Sequence, residues 1–310
     1  MKVVAGISIL LAVLQLFAWP APAAEMIGTD HPLSGRIWDT RSGRFIDEVT
    51  LLSRLGDADV LLLGETHDNP LHHELQLKLL NARIAAGARP ALLMEQLDAD
   101  TQPALDAALA EGDRAEKLNK VTGLIKFTDV ESYRPFLVAA VDNKLPVVAA
   151  NISSRELQAV IWMGFSAFDA DALKRMEVEE VWDHRRQNYL LAHMGGAHCG
   201  QLRDELRAGL ARGQRLRDAM MADAVMSSVA RGVVAIVGSS HARRDVGMPL
   251  YIAARDSAAR ILSLGFEEVI PGRNDPASYI SDRASDQPPF DVVWFTPRVA
   301  RADPCADLKK

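Results

Sequence analysis

The chain has 310 residues, with 35 Lys and Arg against 41 Asp and Glu, a net charge of −6 and 48% hydrophobic residues. That composition is of an ordinary globular protein long enough for a large core. Its acidic balance argues against nucleic acid or an anionic membrane as a partner.

The first elements read as an export signal. Lys2 is a short positive start, residues 3–19 are apolar except for Gly6, Ser8 and Gln15, and Ala21-Pro22-Ala23 places small residues before a cut ahead of Ala24. Residues 1–23 are therefore expected to leave as a signal peptide. The apolar run ends at Pro20 and falls short of the roughly 20 residues a spanning helix needs. No cysteine is present there to carry a lipid, so the expected location is free in the periplasm. Without Lys2 the mature part carries 34 basic against 41 acidic residues, a net charge of −7.

Four short runs have the character of strands buried on both faces: residues 59–64, 91–95, 146–151 and 233–238. They are apolar throughout rather than alternating, as in a parallel sheet covered by helices. Residues 260–266 and 291–295 are weaker candidates. Helical patterns lie between the strands, at 71–86 with leucines at 71, 75, 79 and 80, and at 132–143 with Pro135 in the first turn. The expected fold class is α/β, a mainly parallel sheet flanked by helices. Residues 152–231 contain no convincing strand but have helix-like segments at 154–163, 169–190 and 215–230. They predict a smaller helical subdomain, 151–230, inserted in an α/β domain formed by 35–150 and 231–300. Residues 275–289 are polar and contain proline, as a surface excursion would. Cys199 and Cys305 are expected to be bridged in an oxidising compartment.

Polar residues cluster just after the buried strands, where open parallel sheets bind ligands. Glu65, Thr66, His67 and Asp68 follow the first strand, Glu95 ends the second, Asn151 follows the third, and residues 239–245, with His241 and Arg244, follow the fourth. Carboxylate beside imidazole suits acid–base chemistry, because each shifts the other's pKa towards neutrality. Glu65, His67, Glu95 and His241 are the catalytic candidates. Glu65, His67 and His241 also suit a divalent metal. The competing reading is a polar network that caps strand ends. His72 and His73 open the next helix about 100° apart, so they do not both face one ion. His72 could return to the rim, or either ring could simply be packed. A second cluster runs from Trp182 through Tyr189 and His193 to His198. It contains residue types that ligate haem iron and arginines able to pair with propionates; the plain alternative is an exposed helix and a loop.

Several short motifs in order resemble those of the ChaN-like haem-binding family, related in fold to erythromycin esterases and Tiki-type proteins. They are Leu63-Gly64-Glu65-Thr66-His67-Asp68 with His72-His73, Leu93-Met94-Glu95, Tyr133-Arg134-Pro135, Ala149-Ala150-Asn151, His198-Cys199-Gly200, Arg217 to Ala222, Gly238 to Pro249, and Asp303-Pro304-Cys305. The resemblance implies a large α/β part with a small helical one, haem binding in iron uptake, a possible homodimer with two haems face to face, and an outer-membrane haem receptor system as partner. It implies tyrosine ligation of iron, with Tyr133 and Tyr189 as candidates beside His72, His198 and Arg244. Family members include lipoproteins, and this chain departs from them in lacking a lipid-bearing cysteine.

Two functional readings follow from these residues. In the first the protein is a haem carrier or store. In the second it is a hydrolase, with Glu65 or His67 as base, His241 as second base or metal ligand, and Arg244 as anion binder. A purely structural module would leave the clustered rim unexplained.

Overall fold

A computed structural model describes residues 25–127, 129–197, 199–303 and 305–306. The signal segment and His198 lie outside these described residues. In chain order the elements begin with β1 (Met26–Ile27), β2 (Ile37–Asp39), β3 (Arg44–Ile46), α1 (Glu48–Asp57), β4 (Val60–Glu65) and α2 (Pro70–Ala85). Next come β5 (Ala91–Asp98), α3 (Gln102–Ala110), α4 (Arg114–Thr122), α5 (Val130–Asn143) and β6 (Val147–Asn151). Four helices follow: α6 (Ser154–Met163), α7 (Ala170–Arg175), α8 (His184–Ala197) and α9 (Asp204–Met226). The chain closes with β7 (Val233–Gly238), α10 (Ser239–Ala242), α11 (Met248–Arg255), β8 (Ile261–Glu268), β9 (Val292–Thr296) and β10 (Arg298–Val299).

Eight strands form one sheet in the order β3-β2-β9-β8-β4-β7-β5-β6. From β9 to β6 every pairing is parallel, and only the β2–β3 hairpin adds antiparallel strands at one edge. The expected α/β class with a mainly parallel sheet is what forms. All six expected strands are present, and the hairpin is an addition. Its strands are only three residues long, too short for a pattern of alternation to stand out.

Successive residues of the central strands supply two cores, because side chains alternate between the faces. Leu61 and Leu63 of β4, with Leu92 and Met94 of β5, pack under α2 and α5. Val60, Leu62 and Leu93 face the other way, onto Leu216, Ala219, Ala222 and Val225 of α9 and Tyr251 and Ile252 of α11. The helical stretch between β6 and β7 thus covers the sheet directly, sharing this second core.

Several helix limits differ from the sequence reading. Helix α5 starts at Val130, which leaves Pro135 inside it. The expected 169–190 helix is split into α7 and α8 by residues 176–183, where Glu177 takes a positive φ of 54°. Helix α9 begins at Asp204, well before the expected Arg215. Gly209 and Gly213 obscure it in the sequence, since glycine disfavours a helix interior by about 1 kcal/mol. Both sit where α6 presses closest: a Cβ on Gly209 would lie 2.4 Å from the Ile161 carbonyl oxygen, and one on Gly213 would lie 2.8 Å from Leu157.

Cys199 and Cys305 form a disulfide that joins the connection between α8 and α9 to the C-terminal tail across 106 residues. No helix among the described residues is long and apolar enough to cross a membrane.

Gly209→Ala is expected to destabilise the protein by about 1–3 kcal/mol through overpacking, although alanine is the better helix former. Gly196→Ala in α8, where nothing lies within 4 Å of the added Cβ, is expected to stabilise slightly. Urea denaturation of both variants checks this opposition of sign.

Candidate functional site

Glu65 ends β4 on the face covered by α2 and α5, and Glu95, near the end of β5, lies on the face covered by α9. Both carboxylates are 2% exposed. Ionised carboxylates cannot stay in so dry a place without partners, and the surrounding elements supply them. Tyr133 of α5 donates its hydroxyl to Glu65 Oε1 at 2.6 Å, His67 donates Nδ1–H to the same oxygen at 2.8 Å, and Gln96 Nε2 approaches it at 3.4 Å. His73 Nε2 of α2 lies 3.3 Å from Glu65 Oε2. On the other face the Gly238 N–H donates to Glu95 Oε2 at 2.6 Å, and His241 Nε2 of α10 stands 3.3 Å from Glu95 Oε1. The other ring nitrogen of His241 faces Asp218 Oδ1 of α9 at 2.7 Å.

His67 joins the two halves. Its Nε2 lies 3.9 Å from Glu95, and its side chain is 42% exposed, open at the strand-end crevice. Phe127 meets the ring edge-on, with centroids 4.9 Å apart. The chain turns away after Glu65, so His67 reaches Glu65 from a loop and not from a continued strand. Gly238 is what permits this crossing, because a Cβ there would lie 2.9 Å from His67 Nε2. Seven ionisable side chains, Tyr133 among them, therefore run from one face of the sheet to the other, over the ends of β4, β7 and β5.

Charge follows the geometry. Burial pushes Glu95 towards neutrality, but His241, His67 and the Gly238 N–H outweigh it and hold the carboxyl well below its ordinary range. Desolvation of His241 is likewise outweighed by Glu95 and Asp218, so its imidazolium persists above neutral pH. Burial raises Asp218, with His241 opposing. For Glu65, burial is overcome by His67 and His73 and the carboxyl titrates below its usual value. For His67, desolvation is overcome by Glu65 and Glu95, and the ring titrates above its usual value. A carboxylate–imidazole pair of this kind, open to solvent at one ring, can hold and transfer a proton.

The structure brings Glu65, His67, Glu95, His241 and Tyr133 together. It places the other sequence candidates elsewhere. His72 is fully buried beneath β4. The Thr66 N–H donates to its Nδ1 at 2.9 Å, and its Nε2–H donates to Thr296 Oγ1 at 2.8 Å. Both nitrogens are used within the fold, so His72 is packed at the strand ends and offers neither nitrogen to the crevice. Arg244 points away from the rim to Asp291, at 2.8 Å. The extended backbone of Arg243 sends the two neighbouring side chains apart, and Arg243 is the arginine that faces Tyr189. Tyr189 and His193 stack one turn apart on α8, with centroids separated by 6.0 Å. The suggested metal set of Glu65, His67 and His241 lies within this network, where three of the four ring nitrogens face carboxylates within 3.3 Å. Among the described residues no group of three or more His, Cys, Asp or Glu is arranged to hold a metal ion.

Sequence reasoning passed over His73, Gln96 and Asp218 as members of this network. Asp218 carried a usable signal, a lone acid on the buried apolar face of α9 beside Leu216, Ala219 and Ala222.

His72 gives this region a pH dependence. Burial pushes its pKa down to about 4 from 6.5. The neutral ring is the folded form, so stability is unaffected above pH 6.5 and falls as the unfolded chain takes up a proton between about pH 6.5 and 4. The loss is expected to reach about 3 kcal/mol. Denaturant unfolding at pH 7 and 4.5 measures it, and His72→Gln is expected to lack this component of the slope.

Comparison with known proteins places this geometry. The family described as haem-binding uptake, Tiki superfamily, ChaN matches residues 51–252. Among solved structures, ChaN of Campylobacter jejuni with cofacially bound haem superposes with a TM-score of 0.67 at 22% identity, covering 83% of this chain and 95% of that one. The erythromycin esterase EreC, as a mutant in its open conformation, gives a TM-score of 0.46 at 11% identity, over 83% of this chain and 94% of that one. A Bacillus cereus protein gives 0.41 at 12% identity, over 71% and 68%. No curated protein matches. The family match spans well over half of the chain and contains every member of the strand-end network, and on it this chain belongs to the ChaN family of haem-binding uptake proteins in the Tiki superfamily.

Proposed function

We propose that this protein binds haem as a carrier or store in bacterial iron acquisition, and that Tyr189 on α8 is the iron ligand. Family membership supports haem as the ligand, and the state of Tyr189 carries the choice of residue. Its hydroxyl makes no hydrogen bond to a described residue, whereas Tyr133 is 1% exposed with its hydroxyl committed to Glu65. Burial raises the Tyr133 phenol above its ordinary range, and the Glu65 charge raises it further, which opposes the phenolate that iron requires. Tyr189 is pushed up to about 12, chiefly by burial, but there the Arg243 guanidinium, 4.9 Å over the ring, pulls the other way.

The residues around Tyr189 fit the group. Haem iron supplies a Lewis-acid centre that takes phenolate or imidazole as an axial ligand. His193, held below its usual pKa by desolvation and by Arg243, is a neutral base one turn along α8 that can take the phenol proton. Arg243 steadies the phenolate and is itself fixed by two hydrogen bonds to Asp245. The space behind Tyr189, towards Asp218 and Ser240, is only about 10 Å³, so a macrocycle has to lie on the outward side of α8. Export through residues 1–23, residence in the periplasm, a homodimer and exchange with an outer-membrane haem receptor system belong to the same reading.

One observation favours a second reading, acid–base hydrolysis. His67 presents a partly open imidazole in the strand-end crevice, held between two buried carboxylates. Such a ring can take a proton from water, with Glu65 orienting it through Nδ1–H.

Haem titration followed at the Soret band, beside an ester and peptide hydrolysis screen, separates the two. For the carrier, Tyr189→Phe is expected to weaken haem binding at least about tenfold, a loss of roughly 1.4 kcal/mol, while Glu65→Gln keeps it. For the hydrolase, Glu65→Gln abolishes turnover and Tyr189→Phe does not. Saturable haem binding that survives Tyr189→Phe removes the ligand assignment, and no saturable binding at all removes the carrier reading.

A further inference from the structure

The excursion between β8 and β9 closes a cavity that the haem reading does not use. It is about 650 Å³ and is lined by Trp38 of β2, by Thr40 and Arg41 just after it, by Arg244, and by several residues of the excursion, among them Ile280, Arg283 and Asp291. The volume lies within the 300–1,000 Å³ range of small-molecule sites. No residue lining it belongs to the strand-end network or to the Tyr189 surroundings.

The excursion is firmly built. Ile280 and Phe290 are sunk in the second core at 5% and 2% exposure. The Ala284 N–H donates to Asp245 Oδ2 at 2.7 Å, and Arg243 donates to the Asp282 carbonyl at 3.0 Å. The cavity's walls are therefore held in place without a ligand.

Charge on the lining is one-sided. Three guanidiniums, from Arg41, Arg244 and Arg283, face a single carboxylate, Asp291. Asp291 is already committed, accepting from Arg244 at 2.8 Å and from the Ser263 N–H at 2.9 Å. The acid next along the chain from Arg283, Asp286, pairs with Arg185 at 2.9 Å. No described carboxylate lies within ion-pair distance of the Arg41 or Arg283 guanidinium. Two cations without an ion-pair partner thus border one cavity whose lining also includes Trp38, Ile280 and Pro288.

We propose that this cavity binds a small organic anion carrying two or more carboxylates, with Arg41 and Arg283 gripping the carboxylates. Guanidinium groups match carboxylates in bidentate geometry, and two of them select for ligands with paired anionic groups over monoanions. The lining contains no His, Tyr, Cys or Met, so it offers no customary protein ligand for haem iron, and its one carboxylate, Asp291, is held by Arg244 and the Ser263 N–H. The site is accordingly for binding. It stands independently of the haem reading.

Isothermal titration of the full mature chain with citrate and with phthalate tests this, with acetate as the monoanion control. Saturable binding of citrate or phthalate is expected, weaker for acetate, and reduced at least about tenfold in R41Q/R283Q. Both arginines are exposed, and an unchanged circular dichroism melt of that variant establishes that the fold is intact. R283Q alone, expected to show an intermediate loss, serves if the double variant does not fold. The proposal is overturned if neither polycarboxylate binds at concentrations on the order of 10 mM, if the arginine variants bind as wild type, or if equimolar haem displaces the anion.

Discussion

The structure depends on keeping two desolvated carboxylates, Glu65 and Glu95, charged at the ends of β4 and β5, the two strands that flank β7, and on opposite faces of one sheet. A buried anion without partners costs several kcal/mol, so each face has to bring cations and donors to it. On one face α5 and α2 deliver Tyr133 and His73 to Glu65. On the other, α10 delivers His241, which Asp218 of α9 holds in turn. The packing of α2, α5 and α9 on the sheet is thus tied to the same set of charges that defines the crevice. His67 alone crosses between the faces, over Gly238.

The network explains why the crevice is rigid beneath and open above. Its buried members are fixed by short contacts on both sides, while His67 remains partly in solvent. The Tyr189 surface is the complement. It stands on α8, a helix bridged to the rest of the molecule by α9 and by the Cys199–Cys305 disulfide. Arg243 reaches this surface and Arg244 reaches the separate cavity behind β2, because adjacent residues of an extended segment project to opposite sides. One dipeptide thereby serves two places that the sequence alone ran together.

Much of the sheet was legible in the chain itself. The β4, β5, β6 and β7 runs are apolar at every position because both faces are covered, and that pattern needs no knowledge of the partners. The placement of Glu65, Glu95 and His241 after those runs followed from the parallel topology. The β2–β3 hairpin and the first half of α9 were not legible. Three-residue strands are too short to show a period, and Gly209 and Gly213 are locally poor helix residues, chosen for the approach of α6. His72 was misleading for a related reason: a histidine next to a motif looks available, and only the positions of the Thr66 N–H and Thr296 show that both of its nitrogens are used inside.

What the sequence by itself determined is the class of fold, the order of its parallel strands' apolar runs, and the rim at which ionisable residues collect, since each is written in local composition and periodicity. What only the tertiary structure decided is which of those residues meet. His73 and Asp218 join the network, while His72 is packed apart from it and Arg244 leaves the rim. Pairing of charges depends on distances between side chains brought from distant segments, as between Glu95 and His241, and buried electrostatic interaction falls off too steeply with distance for sequence order to stand in for it.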